Sequence, residues 1–130
     1  MQDSIFTKII KGEIPSYKVY EDDFTYAFLD IHPVQPGHTL VIPKKQVPFV
    51  WDLDNNTYRA LMETAKKVAI RLRDILQTPY IGQQIIGVDV PHAHLHLIPF
   101  SSVSQFRAVP DMEAEPDYEA LSAMAALLAF

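Results

Sequence analysis

The most informative stretch of the sequence reads His92-Ala93-His94-Leu95-His96-Leu97-Ile98. Alternate side chains of an extended strand lie on one face, so this period of two predicts three imidazoles on the same face of a strand. The apolar residues between them predict an opposite face that packs into the core. We therefore predict a strand over Ala93 to Phe100 with one chemical face and one core face.

Three histidines at this spacing suit chemistry at phosphorus. A neutral imidazole is a good nucleophile and titrates near neutral pH. Neighbouring imidazoles can donate hydrogen bonds to phosphate oxygens or protonate a leaving group. Two other interpretations stay open, namely surface histidines on a polar strand face and a metal site. The metal site needs a further ligand such as His38, because three ligands from one flat strand diverge.

The remaining pattern predicts an α+β fold with a mostly antiparallel five-stranded sheet. Ser4 to Gly12 carries the cap and stop signals of a short helix, and Asp52 to Asn56 caps a long helix that ends near Gln77. A last helix is predicted over Tyr118 to Phe130. The predicted strands cover residues 17–21, 24–30, 38–43, 80–90 and 93–100.

Composition excludes several classes of site. The 130 residues carry a net charge of −5 and no cysteine, which argues against binding to nucleic-acid backbones and excludes thiolate chemistry. No stretch approaches the length of a membrane span, and Met1 to Ile10 lacks the features of a signal peptide. We therefore expect a cytoplasmic protein with no membrane or nucleic-acid partner.

The histidine stretch resembles the signature of the histidine-triad (HIT) family, His-φ-His-φ-His-φ-φ, in which φ is apolar. Further segments resemble the nucleotide-binding Hint branch of that family, in its bacterial type and in the same order. They are Ser4 to Pro15, Glu21 to Ile31 and Pro36 to Lys45. This resemblance implies that residues 1–100 form a HIT domain. Residues 101–130 are then a C-terminal extension that packs on the same domain or on a dimer partner.

The resemblance implies a homodimer that acts at the α-phosphate of a purine nucleotide (AMP-like or GMP-like) through a nucleotidyl-histidine intermediate, with no cofactor. His94 is then the nucleophile, His96 contacts the phosphate and leaving group, and His92 supports the array. His38 lies beside the phosphate, and Asp30 binds the ribose hydroxyls. The apolar positions implied around the base are Phe6, Ile9, Phe28, Ile31 and Leu40.

The activity implied is that of a purine nucleoside phosphoramidase, and three alternatives are kept. They are a dinucleoside polyphosphate hydrolase, a nucleotide-binding or scaffold protein with weak catalysis, and a histidine-based metal binder. Many relatives carry Gly-Gln and a small hydroxyl residue before the triad, where this chain has Gly87-Val88-Asp89. The side chain of Val88 cannot hydrogen-bond a phosphate. Asp89 either faces away from the site, which we favour at this point, or selects a cationic leaving group.

Some bacterial relatives bind zinc through Cys-x-x-Cys near the N-terminus and two histidines. Ser4 and Thr7 occupy the cysteine positions in this chain, and Gln46 replaces one histidine. The resemblance therefore predicts no structural zinc at these residues.

Overall fold

A single antiparallel sheet of five strands organises the computed structural model, which describes residues 2–130. The strands are β1 (Lys18–Glu21), β2 (Thr25–Leu29), β3 (Thr39–Pro43), β4 (Tyr80–Gln84) and β5 (Leu95–Phe100). They lie in the order β1-β2-β3-β5-β4, and every neighbouring pair is antiparallel. The predicted α+β class and antiparallel sheet are confirmed.

Four helices accompany the sheet, and two of them begin at the predicted caps. The helices are α1 (Ile5–Ile10), α2 (Asn55–Leu76), α3 (Val103–Phe106) and α4 (Tyr118–Leu128), and a short 3₁₀ turn covers Val50–Asp52. The side chains of Ser4 and Asp54 cap α1 and α2 by accepting hydrogen bonds from backbone N–H groups one turn ahead. In residues 2–130, no helix combines the length and hydropathy that crossing a membrane requires.

The two faces of the sheet bury different sets of side chains. One face packs against the apolar stripe of α2 and includes Ala27, Val41 and Leu95. The other face packs against Phe6 of α1, and it presents residues that alternate with the first set. These residues are Tyr26, Phe28, Leu40 and Ile42. Leu40 of β3 pairs with His96 of β5, so the alternation places His96 on the α1 face.

The last two strands are shorter than the sequence predicts, and the prediction that one strand carries all three histidines is wrong. Residues 85–94 form a connection between β4 and β5, so only His96 lies within β5. Gly87 adopts a φ of 76°, which strand geometry does not allow, and Pro91 has no N–H to donate to a neighbouring strand. The N–H of Ala93 donates instead to the carbonyl of Val47 at 2.7 Å.

The C-terminal extension packs against its own chain. Helix α4 contacts α2, β1 and β2, and Arg71 Nε donates to the carbonyl of Leu128 at 2.9 Å. The short helix α3 was not predicted from the sequence. Its Phe106 ring covers Gly82, where a Cβ atom would overlap the ring, so the absence of a side chain at Gly82 lets α3 dock.

Candidate active site

His92 is a buried ring with both nitrogens engaged. Its Nε2 lies 2.7 Å from the carbonyl oxygen of Pro43, and because a carbonyl only accepts, Nε2 carries the ring proton. Its Nδ1 therefore accepts a hydrogen bond, and the hydroxyl of Ser4 lies 2.7 Å away to donate it. Burial lowers the pKa of His92, so the ring is neutral. The His92 ring meets Phe6 of α1 edge-on at 5.8 Å, so it lies on the α1 face, where it is fully buried.

His94 presents a bare nitrogen as a result. Its Nδ1 lies 2.7 Å from the carbonyl oxygen of His92 and must donate to it, so the proton of the neutral ring sits on Nδ1 and Nε2 keeps its lone pair. Nε2 makes no hydrogen bond to the described residues. No buried side-chain nitrogen among residues 2–130 lacks a partner, so Nε2 of His94 reaches solvent.

A hydrogen bond from His38 places the proton of His96 on Nε2, whereas the proton of His94 sits on Nδ1. The N–H of Val34 donates to Nδ1 of His38 at 3.0 Å, so the His38 proton sits on Nε2. That nitrogen donates to Nδ1 of His96 at 3.0 Å, which leaves the His96 proton on Nε2. The pKa of each ring is lowered to about 4, by burial for His38 and by burial together with the neighbouring His38 for His96. Both rings are therefore neutral at neutral pH.

The structure brings three of the predicted histidines together. The ring centroids of His94 and His96 are 5.2 Å apart, as are those of His38 and His96. The Phe6 ring meets His94 edge-on at 5.1 Å. The ring with an unprotonated Nε2, His94, thus neighbours the ring with a protonated Nε2, His96. Attack on a phosphoryl group requires the first nitrogen, and donation to the phosphoryl oxygens requires the second.

A cavity of about 220 Å³ lies on the α1 face, and Asp30 connects its wall to His38. Its wall contains all six residues that the sequence assigned to nucleotide binding, namely Phe6, Ile9, Phe28, Asp30, Ile31 and Leu40. Burial raises the pKa of Asp30. One oxygen of this carboxyl accepts the N–H of His32 at 2.8 Å, and the other lies 3.7 Å from Nε2 of His38. The cavity is therefore an apolar pocket with one carboxyl at the histidine end.

The HIT domain family matches residues 11–103 of this chain. The chain is a member of the HIT family. An uncharacterised HIT-like protein of Borreliella burgdorferi is 43% identical over 106 residues, which cover 76% of each chain. Adenosine 5'-monophosphoramidase HNT1 of Saccharomyces cerevisiae is 41% identical over 96 residues, which are 73% of this chain and 61% of the yeast protein.

Solved structures show the same relationship. A Hit-like protein from Bartonella henselae superposes with a TM-score of 0.81 at 35% identity, and the superposition covers 97% of this chain and 94% of that one. The HIT fold of this protein therefore includes the C-terminal extension, most of which lies beyond the residues that the family matches.

This HIT protein links Ser4, Thr7, Gln46 and His92 by hydrogen bonds. Oε1 of Gln46 accepts from the backbone N–H of Ser4 at 2.8 Å and from the hydroxyl of Thr7 at 2.6 Å. Sequence reasoning treated Ser4 as a helix cap and as the replacement of a zinc-binding cysteine, and it missed the contact of Ser4 with the triad. The two hydroxyl residues three apart are the signal that could have shown it, because α1 carries both on one side.

Asp30, His38 and His96 also meet the geometric condition for a metal site. One potential ligand atom of each lies within 4.8 Å of the others. Nε2 of His38 and Nδ1 of His96, however, face each other at hydrogen-bond distance. This arrangement favours control of the ring protons over ligation of a cation.

Replacing Ser4 with alanine tests its link to the triad. The Ser4→Ala variant leaves the buried Nδ1 of His92 without its donor, so we expect the free energy of unfolding to fall by roughly 1–3 kcal/mol. Ser4→Thr keeps a hydroxyl and should retain most of that stability. Chemical denaturation measures both variants.

The control is Asp117→Ala, which removes the side-chain cap of α4 without touching the triad. Equal losses of stability in Ser4→Ala and Asp117→Ala would show that Ser4 acts only as a cap.

Proposed function

We propose that this chain is a nucleotide hydrolase or transferase that acts at the α-phosphate through a nucleotidyl intermediate on His94, with purine nucleoside phosphoramidates as substrates. The observation that supports this proposal most is that the proton sits on different nitrogens in the two neighbouring rings. Nε2 of His94 is bare and open to solvent, and Nε2 of His96 carries a proton.

In the first proposed step, the Nε2 lone pair of His94 attacks phosphorus and the phosphorus–nitrogen bond of the substrate breaks. The bound phosphoryl anion favours uptake of a proton from solvent at Nδ1 of His96, which breaks the hydrogen bond from His38, because an opposite charge nearby stabilises the imidazolium. His96 passes the Nε2 proton to the leaving nitrogen and becomes neutral. The products are a free amine and a nucleotidyl group on His94.

In the second step, water attacks phosphorus and the bond to His94 breaks. The neutral His96 accepts the proton that the water loses, which returns His96 to its protonated form. The product is a nucleoside monophosphate. When it departs, His96 returns its extra proton to solvent and is neutral again, and His94 is free of the nucleotidyl group.

The pocket supports a nucleoside as the bound group. Its apolar wall suits the two faces of a base, and the carboxyl of Asp30 can accept hydrogen bonds from ribose hydroxyls. The phosphoramidate substrate and the purine base are proposed from the similarity to the yeast adenosine 5'-monophosphoramidase. The composition continues to favour the cytoplasm as the place of action.

Replacing His94 with alanine removes the proposed nucleophile. We expect His94→Ala to lower the turnover of adenosine 5'-phosphoramidate by roughly 10³-fold or more and to form no adduct detectable by mass spectrometry of the trapped protein. His32→Ala is the matched control, because His32 is a partly buried histidine outside the group of three rings.

Three results would contradict the proposed mechanism. They are full turnover by His94→Ala, loss of turnover when a chelator is added to the wild type, and binding of nucleotide with no turnover at all. The second result would favour a metal site at Asp30, His38 and His96, and the third would favour a binding or scaffold protein. Faster turnover of dinucleoside polyphosphates than of phosphoramidates would favour the polyphosphate alternative.

We also propose that two copies of the chain pair along β4. This strand has a neighbour on one side only, and an unpaired strand edge is a ready site for pairing with another chain. Exposed Ile70 of α2 and Tyr80 of β4 lie beside it on a surface depression of about 490 Å³. An exposed apolar surface next to a free edge suits a self-complementary dimer.

Charge placed on this surface should separate the copies. We expect the wild type to be a dimer by light scattering at micromolar concentration, and Tyr80→Asp to shift it towards monomer. Val109→Asp is the control, because Val109 is an exposed apolar residue in the C-terminal extension. A monomeric wild type, or equal dissociation by both substitutions, would contradict the dimer.

A further inference from the structure

A cavity of about 240 Å³, which we call the α4 cavity, lies between residues 29–38 and helix α4. Its volume is close to that of the cavity on the α1 face. Helix α4 contributes four residues to its wall, so the α4 cavity depends on the docking of the C-terminal extension. These residues are Asp117, Ala120, Leu121 and Met124.

Residues 29–31 separate the α4 cavity from the cavity on the α1 face, because Leu29, Asp30 and Ile31 line both. Leu29 and Leu121 belong to the buried cluster that packs against α2. Phe28, which lines only the cavity on the α1 face, belongs to the cluster on the other side of the sheet. The α4 cavity therefore lies towards the α2 face, and a molecule can occupy it while the cavity on the α1 face is filled.

The wall of the α4 cavity is apolar apart from the side chains of Asp30, His38 and Asp117. Both nitrogens of His38 are engaged, with Val34 and with His96, so its ring offers the cavity neither a donor nor an acceptor. Among the described residues, neither lysine nor arginine belongs to this wall. The two carboxyl groups are therefore its polar groups.

Each of these carboxyl groups has an oxygen without a hydrogen bond to the described residues. In Asp30, Oδ1 accepts the N–H of His32 at 2.8 Å, and Oδ2 lies 3.7 Å from Nε2 of His38, which is beyond hydrogen-bond distance. In Asp117, Oδ1 accepts the N–H of Ala120 at 3.0 Å. A carboxylate has about four lone-pair sites, so both groups can accept from a ligand. Burial raises the pKa of Asp30, and a cation beside it favours the ionised form.

We propose that the α4 cavity is a second binding site, which takes a small and mainly apolar molecule that carries one positively charged amine. The apolar wall covers the hydrocarbon part of the ligand, and the ammonium group donates to the carboxylates of Asp30 and Asp117. A neutral molecule of the same shape gains only the apolar contact, and an anion is repelled. This inference does not depend on the proposed function.

NMR of methionine labelled with carbon-13 in its methyl group tests the site, because Met124 lines the α4 cavity. The probes are benzylamine, benzyl alcohol and benzoate, which share an aromatic ring and differ in charge. We expect benzylamine to shift the Met124 methyl signal saturably. Its Kd should be roughly fivefold lower than that of benzyl alcohol or better, as one pair of charges partly exposed to solvent provides. Benzoate should bind more weakly than the alcohol, and saturating AMP should not displace benzylamine.

Substitutions that fill the cavity or remove its charges identify the site. Ala120 lines the cavity and is exposed, so Ala120→Phe should abolish the saturable shift by filling the space. Ala126→Phe is the matched control, because Ala126 is an exposed residue of α4 outside this wall, and it should keep the wild-type Kd. Asp30→Asn and Asp117→Asn should each reduce the preference for the amine over the alcohol by roughly two- to fivefold. Asparagine caps helices about as well as aspartate, so Asp117→Asn retains the cap of α4.

Three results with benzylamine would overturn the inference. They are the absence of a saturable shift at Met124, an affinity equal to that of benzyl alcohol, and unchanged binding by Ala120→Phe. Displacement of benzylamine by AMP would also overturn it, because the amine would then occupy the cavity on the α1 face. Each readout is the binding of a probe, so these failures are distinguishable from a failure to turn over phosphoramidates, which concerns the proposed function.

Discussion

The hydrogen bond from Nδ1 of His94 to the carbonyl oxygen of His92 decides which nitrogen of the His94 ring carries the proton. A neutral imidazole has one proton and one lone pair, and occupying Nδ1 with the proton leaves Nε2 free to attack. The position of the His92 carbonyl is therefore the constraint that the remaining contacts serve. His92 is held on two sides, by Ser4 at the start of α1 and by Pro43 at the end of β3. The proton position on His94 thus depends on a helix cap and a strand end far from it in the chain.

Burial gives the site its second property, which is the neutrality of its rings. Charged imidazoles at His38 and His96 would be costly in this environment, and the low pKa values express that cost. His38 and His96 therefore carry no positive charge at neutral pH, and the apolar cluster of Phe6, Phe28 and Leu40 forms one wall of the cavity on the α1 face. An anion beside these two rings would meet N–H donors and not charged imidazoles.

Local signals in the sequence predicted much of this arrangement. The cap at Ser4, the long helix α2 and the strands β2 and β3 each depend on residues close in the chain, and the structure contains all of them. The six residues in the wall of the cavity on the α1 face were predicted from the resemblance to the family, because their spacing alone does not distinguish a pocket from a core. The end of β4 and the start of β5 were missed, since they depend on the path of residues 85–94 and on the bond between Ala93 and Val47.

The ring protons lay beyond sequence reasoning for the same cause. Ser4 and His92 are 88 positions apart and His38 and His96 are 58 apart, so no local pattern reveals their contacts. Nitrogen-15 NMR of the imidazole rings at neutral pH, with each histidine assigned by substitution, tests these proton positions most directly. We expect a proton on Nδ1 of His94 and on Nε2 of both His92 and His96. A proton found on Nε2 of His94 in the free protein would contradict this expectation.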